Sequence, residues 1–208
     1  MKLYYSSGSC ALAPHIVLNE LNMAYELEAV DLKAKTTVSG DYTKVNPKGA
    51  VPALRMDNGE ILTEGPAITQ YLADQKPESG LMPKFGTLER YRCAEWLNYI
   101  TSEVHKSFGQ LFSAGAFVKN EDAQKEYKNT VRGAIEKKLG FVSERLGTND
   151  YLLGKQFTVA DAYLFTCLNW CKYFDINLGK WGNVEAFMGR VAARPAVARA
   201  MKEQGMLK

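Results

Sequence analysis

The sequence predicts an α/β unit followed by an all-α unit, and three observations carry that expectation. The first is the opening order of elements, in which short apolar runs alternate with helical patterns as far as Asp74. The second is a pair of runs, Pro52 to Met56 and Glu60 to Leu62, joined by Asp57-Asn58-Gly59, where Asn-Gly accepts the positive φ of a tight hairpin turn. The third is a Pro- and Gly-rich stretch from Lys76 to Gly86, beyond which every strong periodicity is helical. The boundary is expected there, giving units of 1–80 and 81–208.

Taken in order, Lys2 to Tyr5 reads as an aromatic-rich strand and Ser6-Ser7-Gly8-Ser9 as a small-residue loop. The helix that follows holds Pro14, which is tolerable only in a first turn, so Cys10 falls at or just before the helix start and in its positive backbone field. Glu26 to Asp31 is a second strand, parallel to the first because a helix intervenes. Leu32 to Val45, with Lys33 and Lys35, has no period that separates loop from helix. Asn46 to Gly49 is turn chemistry, and Pro52 must open its strand or lie on an edge, which leaves the main chain of Val51 free to pair elsewhere. Thr63-Glu64-Gly65-Pro66 then leads into a helix whose first N–H groups favour an anion. This order is that of a thioredoxin-like domain with a mixed four-stranded sheet. An open strand edge beside a helix start suits an extended peptide with a terminal carboxylate.

In the second half, Cys93, Leu97, Ile100, Val104, Phe108 and Leu111 are spaced 4, 3, 4, 4 and 3, one apolar stripe of a long helix. Tyr91, Glu95, Asn98, Ser102 and His105 form a polar row on another side of it, which by spacing alone is a wet face or a site. Tyr127 to Leu146 is a second amphipathic helix closed by Gly147. Thr158 and Asp161 form a capping box ahead of a helix apolar almost all round, Ala162 to Tyr173. Asn183 to Val191 and Ala196 to Gln204 are shorter terminal helices.

The composition is ordinary for a globular chain: 208 residues, 46% hydrophobic and 24% charged, with 26 basic against 23 acidic residues. No basic block argues for nucleic acid or an anionic membrane. The 4 cysteines and 2 histidines have neither a CxxC pair nor a zinc spacing, so no metal is expected. Cys93, Cys167 and Cys171 read as core residues in a reducing compartment, and Ser6 to Ser9 and Pro14 interrupt any leader-like apolar run. A cytoplasmic protein is expected.

Four strings, Tyr4 to Cys10, Asn46 to Pro52, Leu62 to Gly65 and Phe157 to Tyr163, together resemble a bacterial beta-class glutathione transferase over essentially the whole chain. The resemblance implies a thioredoxin-like glutathione-binding domain, an all-helical domain forming a pocket for a hydrophobic electrophile, and a homodimer. Glutathione is a co-substrate, no cofactor is held permanently, and the role is detoxification. By motif, Cys10 meets the glutathione sulfur, Val51 before a cis Pro52 pairs with the cysteinyl main chain, and Glu64 and Gly65 hold the γ-glutamyl end. Lys35 lies near the glycine end. Asn98, Ser102 and His105 are second-domain contacts, with Lys106 adjacent and His105 joining Cys10 in catalysis. Tyr5, Ser6 and Ser9 are hydroxyl alternatives to Cys10. Two other functions share this site: glutathione-dependent disulfide exchange or peroxidase chemistry through a Cys10 mixed disulfide, and non-catalytic binding of glutathione or apolar ligands.

Overall fold

The computed structural model describes residues 1–207. Four strands make the central mixed sheet: β1 (Lys2–Tyr5), β2 (Glu26–Asp31), β5 (Ala53–Arg55) and β6 (Ile61–Thr63). β1 pairs parallel with β2 and antiparallel with β5, which pairs antiparallel with β6 through the Asn-Gly turn. The segment without a readable period supplies two further strands, β3 (Thr36–Thr37) and β4 (Gly40–Asp41), a hairpin that extends the sheet to the order β4-β3-β2-β1-β5-β6. A two-residue strand is too short to show alternation, so this hairpin has no sequence signature.

Helix α1 (Leu12–Glu20) is buried on every side from Leu12 to Asn19, which is why it lacks an amphipathic pattern. It packs against α2 (Gly65–Asp74), α7 (Val159–Leu168) and α9 (Pro195–Glu203), joining the sheet to the helical half. His15 and Glu20 of this helix are paired across that junction. His15 Nε2 lies 2.8 Å from Glu203 Oε2, the Tyr25 hydroxyl donates to the same oxygen at 2.5 Å, and Arg194 grips Glu20 at 2.6 and 2.9 Å. One apolar core runs continuously from Leu3 and Leu54 through α1 and α7 to Val197. A smaller one, built on Tyr4, Val30, Tyr42 and Ala53, contains Val51.

The predicted long helix is present but not uniform. α3 (Leu88–Tyr99) passes into a π-helical segment, Ile100–His105, and then into α4 (Lys106–Phe112). All six residues of the apolar stripe from Cys93 to Leu111 are buried. α5 (Ala114–Phe117), α6 (Glu121–Leu146) and α8 (Gly182–Ala192) complete the helical half. Among the described residues, no helix is long and apolar enough to cross a membrane.

Candidate functional site

The site starts from the turn ahead of β5. Asn46 is buried, its Nδ2 donates to Ala50 O at 2.6 Å, and the Tyr42 hydroxyl donates to the same carbonyl at 2.8 Å. With that carbonyl held twice, the chain turns into Val51 and a cis bond to Pro52. Gly49 has φ +59, and a Cβ there would stand 3.1 Å from the Lys35 side chain, whose Nζ donates to Gly49 O at 2.7 Å. Glycine is therefore required both by backbone and by space. Beyond β6, Glu64 takes φ 71 and starts α2. The first N–H groups of a helix have no partner within it, and here Gly65 and Ala67 supply them while Pro66 has none.

Two adjoining cavities, of about 650 and 740 Å³, open over these elements and share Cys10, Val51, His105 and Gly109. The first reaches Lys48, Glu64, Gly65 and the exposed ring of Phe117; the second reaches Lys35, Phe112 and Trp170. The cavities thus bring together Cys10, Lys35, Val51, Glu64, Gly65 and His105, with Lys106 on the wall.

Asn98 and Ser102 stand outside the cleft of their own chain. Both are exposed, neither lines either cavity, and Asn98 Nδ2 bonds back to Ala94 O at 2.8 Å. The reason is the π-helical segment: its wider turn holds more residues, so His105 rotates away from the row that Tyr91, Glu95, Asn98 and Ser102 keep on the outer face. Only His105 of that row is carried into the cleft.

Cys10 is held as a thiol. Its Sγ donates to Val51 O at 3.2 Å, and burial pushes the thiol up to about 12, outweighing its own backbone N–H, with the Glu64 charge adding to the rise. The helix field does not make it a thiolate. Of the four free thiols only Cys10 is partly exposed, the other three being buried. A small alkylating agent is therefore expected to modify Cys10 alone in the folded protein, slowly at pH 7. The rate should climb about tenfold per pH unit up to pH 10, since the thiolate fraction does so below the pKa. Mass spectrometry of the alkylated chain checks both points, and a fast reaction at neutral pH would contradict the thiol geometry.

Three participants were not foreseen. Lys48 bonds to the Glu64 carboxylate and donates to Thr63 Oγ1 at 2.8 Å, placing a cation on the acid at the helix start. Trp170 donates from Nε1 to Gly8 O at 2.8 Å while its ring lies 5.0 Å from that of His105. The Tyr163 hydroxyl stands 2.6 Å from His105 Nδ1. Burial lowers the His105 pKa, so its ring is neutral at pH 7. The available signal for the aromatics was chemical: Tyr and Trp inside an apolar helix carry polar hydrogens that need partners.

A cis-proline loop and a helix start on a mixed sheet, facing a cleft walled by a helical bundle, define the thioredoxin-like proteins that carry a helical C-terminal half. The family models for the glutathione S-transferase N-terminal and C-terminal domains match residues 8–75 and 107–195. Glutathione S-transferase GstA of Escherichia coli O157:H7 is 46% identical over 207 residues, covering 99% of this chain and 100% of that protein. Among solved structures, a beta-class glutathione S-transferase of Sphingomonas chungbukensis is 43% identical with a TM-score of 0.92, and each chain is covered to 100%. A sphingomonad glutathione S-transferase complexed with glutathione is 41% identical with a TM-score of 0.91, again over 100% of both chains. The chain belongs to the glutathione S-transferase family, and its likeness is to the bacterial beta class.

Proposed function

We propose that this chain is a glutathione transferase that joins the glutathione sulfur to apolar electrophilic small molecules. The observation that carries the reading is the cleft itself, where the cis Val51–Pro52 loop, the start of α2, Cys10 and His105 face one space. An extended tripeptide fits this arrangement: its cysteinyl main chain pairs with Val51 and its γ-glutamyl carboxylate lies on the α2 N–H groups. Its ammonium takes the Glu64 carboxylate in place of Lys48, and Lys35 receives the glycine carboxylate. The sulfur then falls beside Cys10 and His105, with the apolar walls of Phe112, Phe117 and Trp170 left for the electrophile.

In the reaction the glutathione S–H gives its proton to solvent, the thiolate attacks the electrophilic carbon, an S–C bond forms, and the leaving group departs with the bonding pair. A thiol of pKa ~8.5 is only about 3% ionised at pH 7, and lowering it by ~2 units requires ~2.7 kcal/mol. A hydrogen bond to a charged acceptor supplies ~1.5 to 3 kcal/mol, so two neutral donors suffice. Cys10, held as a thiol, becomes one such donor when its hydrogen turns from Val51 O to the incoming sulfur, and His105 is the other. The same raised thiol pKa disfavours Cys10 as the attacking group of a disulfide exchange.

The reading extends to units of 1–80 and 81–208, to detoxification in the cytoplasm and to a homodimer. Phe85, Leu88 and Tyr91 are 87%, 65% and 62% exposed beside the outer face of α3, which gives a second copy an apolar surface. Asn98 and Ser102, outside their own cleft, serve a glutathione site only from across such an interface. Chromatography on immobilised glutathione and a chlorodinitrobenzene conjugation assay test the function. Retention released by free glutathione, with turnover, is the expected result; retention without turnover would return the carrier reading, and neither would reject the site.

A further inference from the structure

We infer that Tyr163 is a positioning residue that sets which nitrogen of His105 carries the proton and so aims a fixed N–H donor at the reacting sulfur. The inference rests on the cleft being the glutathione site. Tyr163 is 2% exposed, and its hydroxyl lies 2.6 Å from His105 Nδ1 with the two rings edge to face, centroids 5.8 Å apart at 84°. That nitrogen is the hydroxyl's partner at bonding distance, and the Thr101 side chain, whose own hydrogen goes to Leu97 O at 2.7 Å, is the other polar group beside it. A buried phenol needs an acceptor for its hydrogen, and a neutral imidazole has one acceptor nitrogen. In this assignment the phenol donates to Nδ1, the nearer partner, which places the ring's own hydrogen on Nε2. That atom has no partner among the described residues, and His105 lines both cavities beside Cys10.

The ring is held as well as protonated. Trp170 lies against it at 5.0 Å, and Tyr163 itself opens the second turn of α7, whose start is fixed by the Thr158–Asp161 capping box. The imidazole cannot flip without breaking the Tyr163 bond, and a change of tautomer would require the phenol to turn its hydrogen away from Nδ1. Burial keeps the ring neutral, so its one hydrogen is not supplemented by a second. The hydroxyl of Tyr163, which lines the first cavity beside His105, thereby decides whether the imidazole offers the cleft an N–H donor or a lone pair, and a lone pair would repel a thiolate.

Tyr163→Phe removes the hydroxyl and keeps the ring. Long-range ¹H–¹⁵N spectra of the folded protein at pH 7.5 should show His105 protonated at Nε2 in the parent and as a tautomer mixture in the variant. Conjugation of chlorodinitrobenzene should fall about tenfold in kcat with the KM for glutathione unchanged. In a His105→Ala background the same substitution should cost nothing further, a coupling that mere loosening of α7 would not produce. A parent ring protonated at Nδ1, or an equal fall in both backgrounds, would overturn the assignment. A His105→Ala variant with full turnover and normal retention on immobilised glutathione would overturn the positioning role while leaving the glutathione cleft standing, whereas loss of all retention by the parent would strike the cleft reading instead.

Discussion

Replacing Asp161 with alanine is expected to lower the stability of the fold by about 3 kcal/mol, the largest single-residue effect predicted here outside the apolar core. The carboxylate is fully buried and accepts from Leu152 N, Thr158 N and Thr158 Oγ1, each at 2.8 Å. Alanine leaves two backbone N–H groups without an acceptor in a place water does not reach, at ~1 to 3 kcal/mol each, and dismantles a cap worth ~1 kcal/mol. Denaturant titration measures the loss directly, and the melting temperature should drop by roughly 6 to 12 °C for a chain of this length. Asp161→Asn, which keeps one acceptor oxygen, should fall between the two. A loss below ~1 kcal/mol in the alanine variant would mean that the loop from Tyr151 to Thr158 finds other partners.

Glu64→Gln should weaken glutathione binding about tenfold, equivalent to ~1.4 kcal/mol, by removing the charge that takes the γ-glutamyl ammonium. The size is at the lower end for a charge-assisted bond because Glu64 is 65% exposed and screened by solvent. The amide keeps the shape of the side chain and avoids the confusion of a new residue at φ 71. Titration calorimetry should find the gap between parent and variant narrowing as salt rises. A glutathione analogue lacking the amino group should bind both proteins alike. Equal affinity of both proteins for glutathione itself would remove Glu64 from the site and with it the exchange of Lys48 for the ligand.

How much of this was legible in the sequence depended on whether the signal was local. The parallel pair β1 and β2, the hairpin β5 and β6, and the capping box at Thr158 are written in neighbouring residues and appear at the expected places. Cys10, Val51, Glu64 and Gly65 entered by motif, and the fold brings them to one cleft. The polar row on α3 is not one face, because its spacing assumed one helical period throughout, whereas the π-helical segment turns His105 inward and leaves Asn98 and Ser102 outside their own cleft. No residue in Ile100–His105 announces that wider turn. The state of Cys10 was not legible for a different reason: the helix start is local, but the burial that outweighs it comes from the tertiary fold. Tyr163 and Trp170 were hidden inside an apolar pattern that counts their rings and ignores their hydrogens.

The loop that carries Cys10 is tied down by residues made long after it. Ser7 Oγ donates to Gln204 O across 197 positions, and Trp170 donates to Gly8 O across 162. During synthesis, then, the sheet and α1 can collapse early on their own local pairings, with Cys10 reaching Val51 O, but the loop has no anchor from the helical half until Trp170 and then Gln204 have been added. A nascent chain would present Cys10 on a loose loop for most of its translation time. Closing so long a separation is also the slow part of folding, since the entropy of the closure precedes the contacts that reward it. Ribosome-bound chains stalled before and after residue 204 should differ in how quickly a maleimide reaches Cys10, with the shorter chain the more reactive.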